Sequence, residues 1–368
     1  MSSDQVNLSN LTISSSLINY QNKAISSVIE KVYGKSIVLP VNSETLTMEL
    51  KGVSTVVPHA IQRVGMDEID GYCLKVNEQT YHTTDPFMVE HFTGNRIQQI
   101  PLILGLTDEE IDGVVFSLHI ENPHYSVSPV YSGHLKLVSG NLKRPIFNPT
   151  FELAMLQPGR CLNIEEIKIE RGVGRDHAAF AVGIRGYTKP LDVKMDPNDK
   201  LTKYSDESLR NGDADRSGYL AKSLNSDPKH HLVGIVFPAV LSSQPKGQQS
   251  KIALKLVCAN IITRLEFVKQ LLEAKDDHNE NLLIISTEAG TKINIMIKNE
   301  THTIGNLIKR YAYEVYPDIS YAGHTCVPHE EELKIYLVFS KPIEDARKIT
   351  IDAINKCCKV FEKISSDI

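Results

Sequence analysis

Four sets of residues in this chain could do chemistry, and each lacks a partner that the chemistry needs. Gly172-Val173-Gly174 has the start of a phosphate-cradling loop. A dinucleotide fingerprint also needs a strand before it, a helix after it and a third glycine, and His177 holds the third place. Gly172, Gly174 and His177 are therefore read as a structural turn. His230-His231 offers two imidazoles for a metal but no third ligand, so the pair is read as a loop-to-strand junction. His302 in THTIGN could act as a general base, yet no Ser, Cys or acid partner is signalled beside it. Helix-start packing is the reading that remains. The six cysteines, Cys73, Cys161, Cys258, Cys326, Cys357 and Cys358, contain no CxxC and signal neither zinc nor a disulfide framework. Cys357 and Cys358 are read as one core and one flank residue of a helix, not as a redox pair. The chain is expected to hold no catalytic residue, no cofactor and no metal.

Length and composition narrow the remaining classes. A chain of 368 residues suggests two or three domains. A net charge of −5 argues against a free-standing nucleic-acid binder that works by neutralising phosphates. The opening MSSDQVNLSNLTISSS lacks the basic and apolar regions of a signal peptide. No apolar run approaches the ~20 residues that span a bilayer. The expectation is a soluble, intracellular protein with no membrane partner.

The elements that must position any site are clearest around residues 298–329, KNETHTIGNLIKRYAYEVYPDISYAGHTCVPH. Just before them, Ile293, Ile295 and Ile297 alternate with polar residues and Met296 as a strand does. Thr301 and Thr303 offer hydroxyls to cap a helix start. Ile304, Leu307, Ile308, Tyr311 and Val315 then share one helix face, and Pro317 stops the helix. Ile319 and Tyr321 open a second strand, Leu333 to Phe339 alternate as a third, and a last helix is predicted over 343–364.

Nearer the N-terminus, a Ser- and Asn-rich stretch is expected to hold a short amphipathic helix over 17–32. Leu46, Met48 and Leu50 form a strand, VPHAIQRV a helix, and Tyr72, Leu74 and Val76 the next strand. Asp85 is the predicted N-cap, with Pro86 at the first helical position, of a helix through FMVEHFTGNRI. Strands follow over 114–120 and 129–138, and the polar stretch over 192–229 reads as a long loop. Leu232, Val233, Ile235 and Phe237 make a strand that returns to the first sheet. In the helix over 250–272, Leu254, Cys258, Ile261, Leu265, Val268 and Leu272 are spaced alternately four and three apart, a seam for a second helix. Ile354, Cys357, Phe361 and Ile364 continue that stepping on the last helix, beyond the charged linker EAKDDHNEN.

HTIGN, YPDISYAGHTCVPH, a strand and a long helix, in that order over 282–364, resemble the small alpha-like subunit of multisubunit RNA polymerases. That is the eleventh subunit of the eukaryotic enzyme II, or the archaeal L subunit. His324 stands where that family has an aromatic residue, Glu330 replaces its second proline, and one extra residue precedes Pro328. Ala60 to Val64 resemble the NALRRV motif of the other alpha-like subunit, with Gln62 for its first arginine. Glu90, Phe92, Arg96, Ile97 and the following Ile-Pro-Leu resemble its DEFIAHRLGLIPL, with Asn95 for the histidine. This second family covers the third-largest subunit of enzyme II, archaeal D and the bacterial alpha N-terminal domain. Gly172, Gly174, His177 and Phe180 match its GxGxxHAxF turn, while the cysteine metal cluster of many relatives is missing. SDPKHHLVGIVFPAV is similar to the fused alpha-like subunit of large cytoplasmic DNA viruses of the African swine fever type.

The resemblance implies an α+β fold: two alpha-like dimerisation domains, each an antiparallel sheet with helices, paired within one chain, plus an inserted mostly-β domain. The implied division is an extension over 1–35, a third-subunit-type domain over 36–102 and 233–275, the insert over 103–232, and an eleventh-subunit-type domain over 276–368. It implies a non-catalytic assembly subunit of a DNA-directed RNA polymerase, with catalysis in the two largest subunits that it holds together for transcription. Those two and a small zinc-ribbon subunit of the tenth type are the implied partners, with no direct sequence-specific DNA binding. If viral, the protein is expected in the host cytoplasm and the virion. The implied docking residues are His59, Gln62 and Arg63 on one short helix and His302, Asn306 and Lys309 on its pseudo-symmetric mate. Arg63 carries the most specific expectation, because a guanidinium binds carboxylates or carbonyls through a planar fork. Its alternative is a pair with an acid of its own domain. The intramolecular seam is Leu254, Ile261, Leu265, Val268 and Leu272 against Ile354, Cys357, Phe361 and Ile364. Two rival classes remain. A nucleotide-dependent enzyme built on the insert would bind nucleotide tightly, and a DNA-binding regulator would show salt-dependent, sequence-selective affinity.

Overall fold

Strand pairing sorts the alternating segments into two sheets of one plan. The structure is a computed structural model and describes residues 7–19, 40–191, 229–238, 247–274, 278–279, 281–286, 291–316, 318–327, 332–343 and 346–368. The first half opens with β1 (Asn7–Asn19), β2 (Pro40–Lys51) and α1 (Val56–Asp67). An inserted run follows: β3 (Asp70–Val76), β4 (Tyr81–Thr83), α2 (Glu90–Gln98), β5 (Val115–Glu121), β6 (Ser128–Tyr131), β7 (Lys136–Ser139), β8 (Glu152–Leu156) and β9 (Cys161–Val173). β10 (Arg185–Pro190), β11 (His230–Pro238) and α3 (Gln248–Glu273) close that half. The second half is β12 (His278–Asn279), β13 (Leu282–Ser286), β14 (Lys292–Lys298), α4 (His302–Val315), β15 (Ile319–Val327), β16 (Glu332–Phe339) and α5 (Ala346–Ser366).

The order β1-β2-β11-β10 is antiparallel throughout, and so is β13-β14-β16-β15, with β12 added at its edge. In each sheet a strand runs into a short helix (β2 into α1, β14 into α4). A neighbouring strand runs into a long one (β11 into α3, β16 into α5). The two halves are therefore the same unit twice, with the run from β3 to β9 inserted where the second unit only turns. Those inserted strands form a sheet β3-β9-β5-β7, with β4 on β9, and a small β6-β8 pair. The fold is α+β, and its two repeated units share one chain.

Helix spacing then decides how the units meet. α3 packs on α5, and α1 packs on α4. Leu254, Ile261, Leu265, Val268 and Leu272 are buried in one core cluster with Ile354, Cys357, Phe361 and Ile364, together with the sheet residues of both halves. Each fully buried Leu, Ile or Phe contributes about 1.5–3 kcal/mol, and neither unit could hide its helix stripe alone. A separate cluster around Leu74, Leu118, Ile164 and Ile167 fills the insert. The Glu314 carboxylate adds an ionic tie across the halves, with Lys356 at 3.1 Å, Lys229 at 3.5 Å and Arg310 at 3.7 Å.

Several local expectations are corrected. Leu17 and Ile18 lie in β1, registered opposite Asn42 and Val41, because the ladder of β2 satisfies backbone groups that a short isolated helix leaves marginal. The rest of the stretch over 17–32 lies outside the described residues, as do Pro317 and residues 192–228. Asp85 does not cap a helix. Its carboxylate accepts from Phe87 N at 3.0 Å and from Gln157 N at 2.8 Å, pinning a turn to the end of β8, and α2 begins only at Glu90. The predicted strand over 129–138 is two strands in different sheets, broken by a 3-10 turn at Ser132–His134 whose Ser132 N bonds to Phe151 O. The last helix starts at Ala346 instead of 343. Cys358 is buried along with Cys357, since the helix is enclosed on both flanks.

Candidate functional site

The apolar stripes that bury α1 and α4 also decide what they leave outside. Val57, Ala60, Ile61 and Val64 face the core from α1, and Ile304, Leu307, Ile308 and Tyr311 do so from α4. The remaining sides of the two helices meet in an open cleft of about 390 Å³. Val56, His59, Ala60, Gln62, Arg63, Met66 and Asp67 line it from one half, and His302, Thr303 and Asn306 from the other. Of the candidate docking residues, His59, Gln62, Arg63, His302 and Asn306 come together here. Lys309 does not line the cleft; it is half-buried near His324, and burial followed by the charge of Arg310 lowers its pKa.

Arg63 stands at the rim with 61% of its side chain exposed, its Nε 3.6 Å from Glu68 Oε1. It does pair with an acid of its own half, but the pair leaves the guanidinium open to solvent. His59 is exposed, and its ring lies 3.3 Å from the Thr188 hydroxyl. Burial, then the charge of His231, lowers its pKa.

Beneath the cleft lies a charged cluster that joins the two halves. Arg264 of α3 donates from Nη1 to Glu68 Oε2 at 2.5 Å. Its Nη2 donates to Glu300 Oε2 at 2.7 Å and to Thr301 Oγ1 at 3.0 Å, while Nε reaches both Glu300 oxygens at 3.2–3.3 Å. The three side chains are 19%, 7% and 5% exposed in the order Arg264, Glu68, Glu300. Burial works against the guanidinium's charge, but Glu300 and Glu68 outweigh it and raise the pKa. This cluster also corrects the predicted caps. Thr301 occupies the N-cap position of α4, but its hydroxyl accepts from Arg264, and the Thr303 hydroxyl is buried without a partner.

Comparison with known proteins agrees with the doubled unit. Residues 292–367 match the family described as RNA polymerase Rpb3/Rpb11 dimerisation domain. The "DNA-directed RNA polymerase RPB3-11 homolog" of African swine fever virus, Kenya isolate KEN-50, is 36% identical over 365 residues, covering 98% of this chain and 97% of the relative. The homolog of the Pretoriuskop Pr4 isolate is 35% identical over 364 residues with the same coverage. The chain belongs to the fused RPB3-11 subunits of DNA-directed RNA polymerase. This is a scaffold class, not a catalytic one.

In this RPB3-11-type subunit the other sequence-flagged groups have structural surroundings. A Cβ on Gly172 would meet the Phe180 ring at 2.8 Å, and one on Gly174 would meet Ala181 Cα at 2.8 Å and Asp67 Cα at 3.0 Å. His177 Nδ1 accepts from Ala179 N at 3.2 Å, and Arg175 N donates to Asp67 O at 2.9 Å. The loop thus presses on the end of α1, where Asp67 enters the cleft. His230 Nε2 lies 3.1 Å from Glu49 Oε2. Among the described residues no group of three or more His, Cys, Asp or Glu is placed to hold a metal. Burial raises Cys73 to about 11 and Cys258 to about 12, which leaves both as poor nucleophiles.

The His302 and His324 rings meet edge to face, with centroids 5.3 Å apart. Burial, then Lys309 and His302, lower the His324 pKa from 6.5 to about 4. The folded state therefore resists a proton that the unfolded chain accepts. Stability from the neutral ring is complete above pH 6.5 and lost as pH falls toward about 4. A His324→Gln protein should show a flatter melting temperature over that window than wild type. Parallel slopes for the two proteins would assign the acid response to other groups.

Sequence reasoning missed Glu68, Asp67, Arg264 and Glu300, and read Thr303 as a helix cap. One signal was available: Arg264 lies three residues after Ile261 and one before Leu265, a charge within a helical seam. Its partners are remote in sequence, so nothing there named them.

Proposed function

We propose that this RPB3-11-type subunit is the platform on which the two largest polymerase subunits assemble, docking across the α1–α4 face. The observation that carries the reading is the cleft itself. Both copies of the repeated unit build it, and its rim presents Arg63, His59, Gln62, His302 and Asn306 to solvent. Each copy can serve one large subunit, and the pairing of the copies fixes the distance between the two. The domain division that goes with this reading is a third-subunit-type domain whose sheet is β1-β2-β11-β10, an eleventh-subunit-type domain over 276–368, and an insert that runs from β3 to β9. Fusion places the two units at an effective concentration on the order of millimolar, so the platform forms without a bimolecular step. A small zinc-ribbon subunit of the tenth type is the third proposed partner. Work in the host cytoplasm and packaging in the virion follow for a viral polymerase.

Arg63→Ala tests the reading. Arg63 is the exposed partner of its pair, and Glu68 keeps Arg264, so the variant should melt within about 1 kcal/mol of wild type. It should nonetheless recover less of the second-largest subunit on co-purification. Full recovery of both large subunits by the variant would remove Arg63 from the docking surface.

A further inference from the structure

Two polar atoms at the cleft between α1 and α4 lack partners that their burial calls for. Asp67 Oδ1 is buried and receives no donor. Thr303 Oγ1 is buried and unpaired on a residue only 7% exposed. Both residues line the cleft, one from each half. Buried polar groups are nearly always hydrogen-bonded, and an unpaired one is penalised by its desolvation.

The neighbouring cations make their ion pairs elsewhere, and Arg63 and Arg175 act on Asp67 only at longer range. Arg63 points Nε at Glu68, Arg175 sets its side chain 3.6 Å from Asp176, and Arg264 is shared by Glu68, Glu300 and Thr301. An ionised carboxylate only accepts hydrogen bonds, and a hydroxyl can accept as well as donate. A single group that donates through more than one N–H would satisfy both atoms, and a positive charge suits the carboxylate.

We infer that the cleft floor is a receptor for an arginine or lysine side chain carried by a docking polymerase subunit. This rests on the docking reading above and adds its chemistry. The basic side chain enters between α1 and α4 and donates to Asp67 Oδ1 and Thr303 Oγ1. Arg63 at the rim then takes a carboxylate or backbone carbonyl of the same segment. An acidic or purely apolar segment fits worse, because it would leave Asp67 Oδ1 without a donor.

The test uses the full chain co-expressed with the two largest subunits. Asp67→Asn keeps the shape and removes the charge, so the free chain should melt no lower than wild type. Its affinity for a large subunit should fall roughly tenfold or more, since a buried charge pair is broken. Thr303→Val should weaken binding in the same direction. A photo-crosslinker at Gln62 should capture a large-subunit peptide that contains Arg or Lys. Binding by Asp67→Asn within twofold of wild type, or a captured peptide with no basic residue, overturns the inference. If Arg63→Ala weakens binding while Asp67→Asn does not, docking stands and the basic receptor falls. If neither substitution weakens binding and Gln62 captures no large subunit, the docking reading fails and the inference fails with it.

Discussion

Replacing Arg264 with leucine should cost about 3–5 kcal/mol of stability, the range for removing one partner of a buried ion pair. Among the described residues, Arg264 is the one that bonds both to Glu68 behind α1 and to Glu300 and Thr301 ahead of α4. Without it, Glu300, 5% exposed, loses the cation it shares with Glu68, and Glu68, 7% exposed, keeps only Arg63 at 3.6 Å. The cost comes from that uncompensated charge, not from the worth of the pair. Neutralising all three positions together, as Arg264→Leu with Glu68→Gln and Glu300→Gln, should therefore recover most of the loss. Urea unfolding read by linear extrapolation measures both effects. A loss under about 1 kcal/mol for the single variant would mean that water screens the cluster and that it does not tie the halves together.

The second large effect lies in the seam. Leu265 on α3 and Phe361 on α5 are fully buried in the core that both halves share. Leu265→Asp or Phe361→Asp places a charge there without a partner, at a cost of several kcal/mol. Each variant should yield insoluble protein or halves that dissociate. Because the core is continuous from α3 to α5, the covalent link should be dispensable once the protein is folded. Proteolysis at residues 275–281 should leave the wild-type halves associated under native conditions. Ready separation of the nicked halves would contradict the paired-unit account.

The parts of this protein that were readable in its sequence are those governed by short-range periodicity. The three-four stepping from Leu254 to Leu272 and the alternation from Ile293 to Ile297 are local patterns, and α3 and β14 follow them. Side chains whose partners are distant in the chain behaved differently. Asp85 has the look of a helix cap, but Gln157 N takes one of its oxygens. Thr301 has the same look, and Arg264 takes its hydroxyl. Leu17 and Ile18 suit a helix face, yet the ladder of β2 draws them into a strand. The cleft was half-visible for a similar reason. Its rim residues lie on motifs of two short helices, whereas Asp67 and Thr303 matter only because the two halves fold together. The doubled plan was legible only through the family resemblance, because the long insertion between α1 and β10 separates the parts of the first unit. The strand orders β1-β2-β11-β10 and β13-β14-β16-β15, set side by side, show it directly.

The claim that this subunit joins the two largest polymerase subunits is tested most directly by reconstitution. The two large subunits are expressed together with and without the full chain, and native mass spectrometry reads which assemblies form. The account predicts one complex holding all three proteins when the chain is present, and a loss of the large-subunit pair when it is omitted. A large-subunit pair that forms equally well without the chain, or a chain that joins neither subunit, would contradict it.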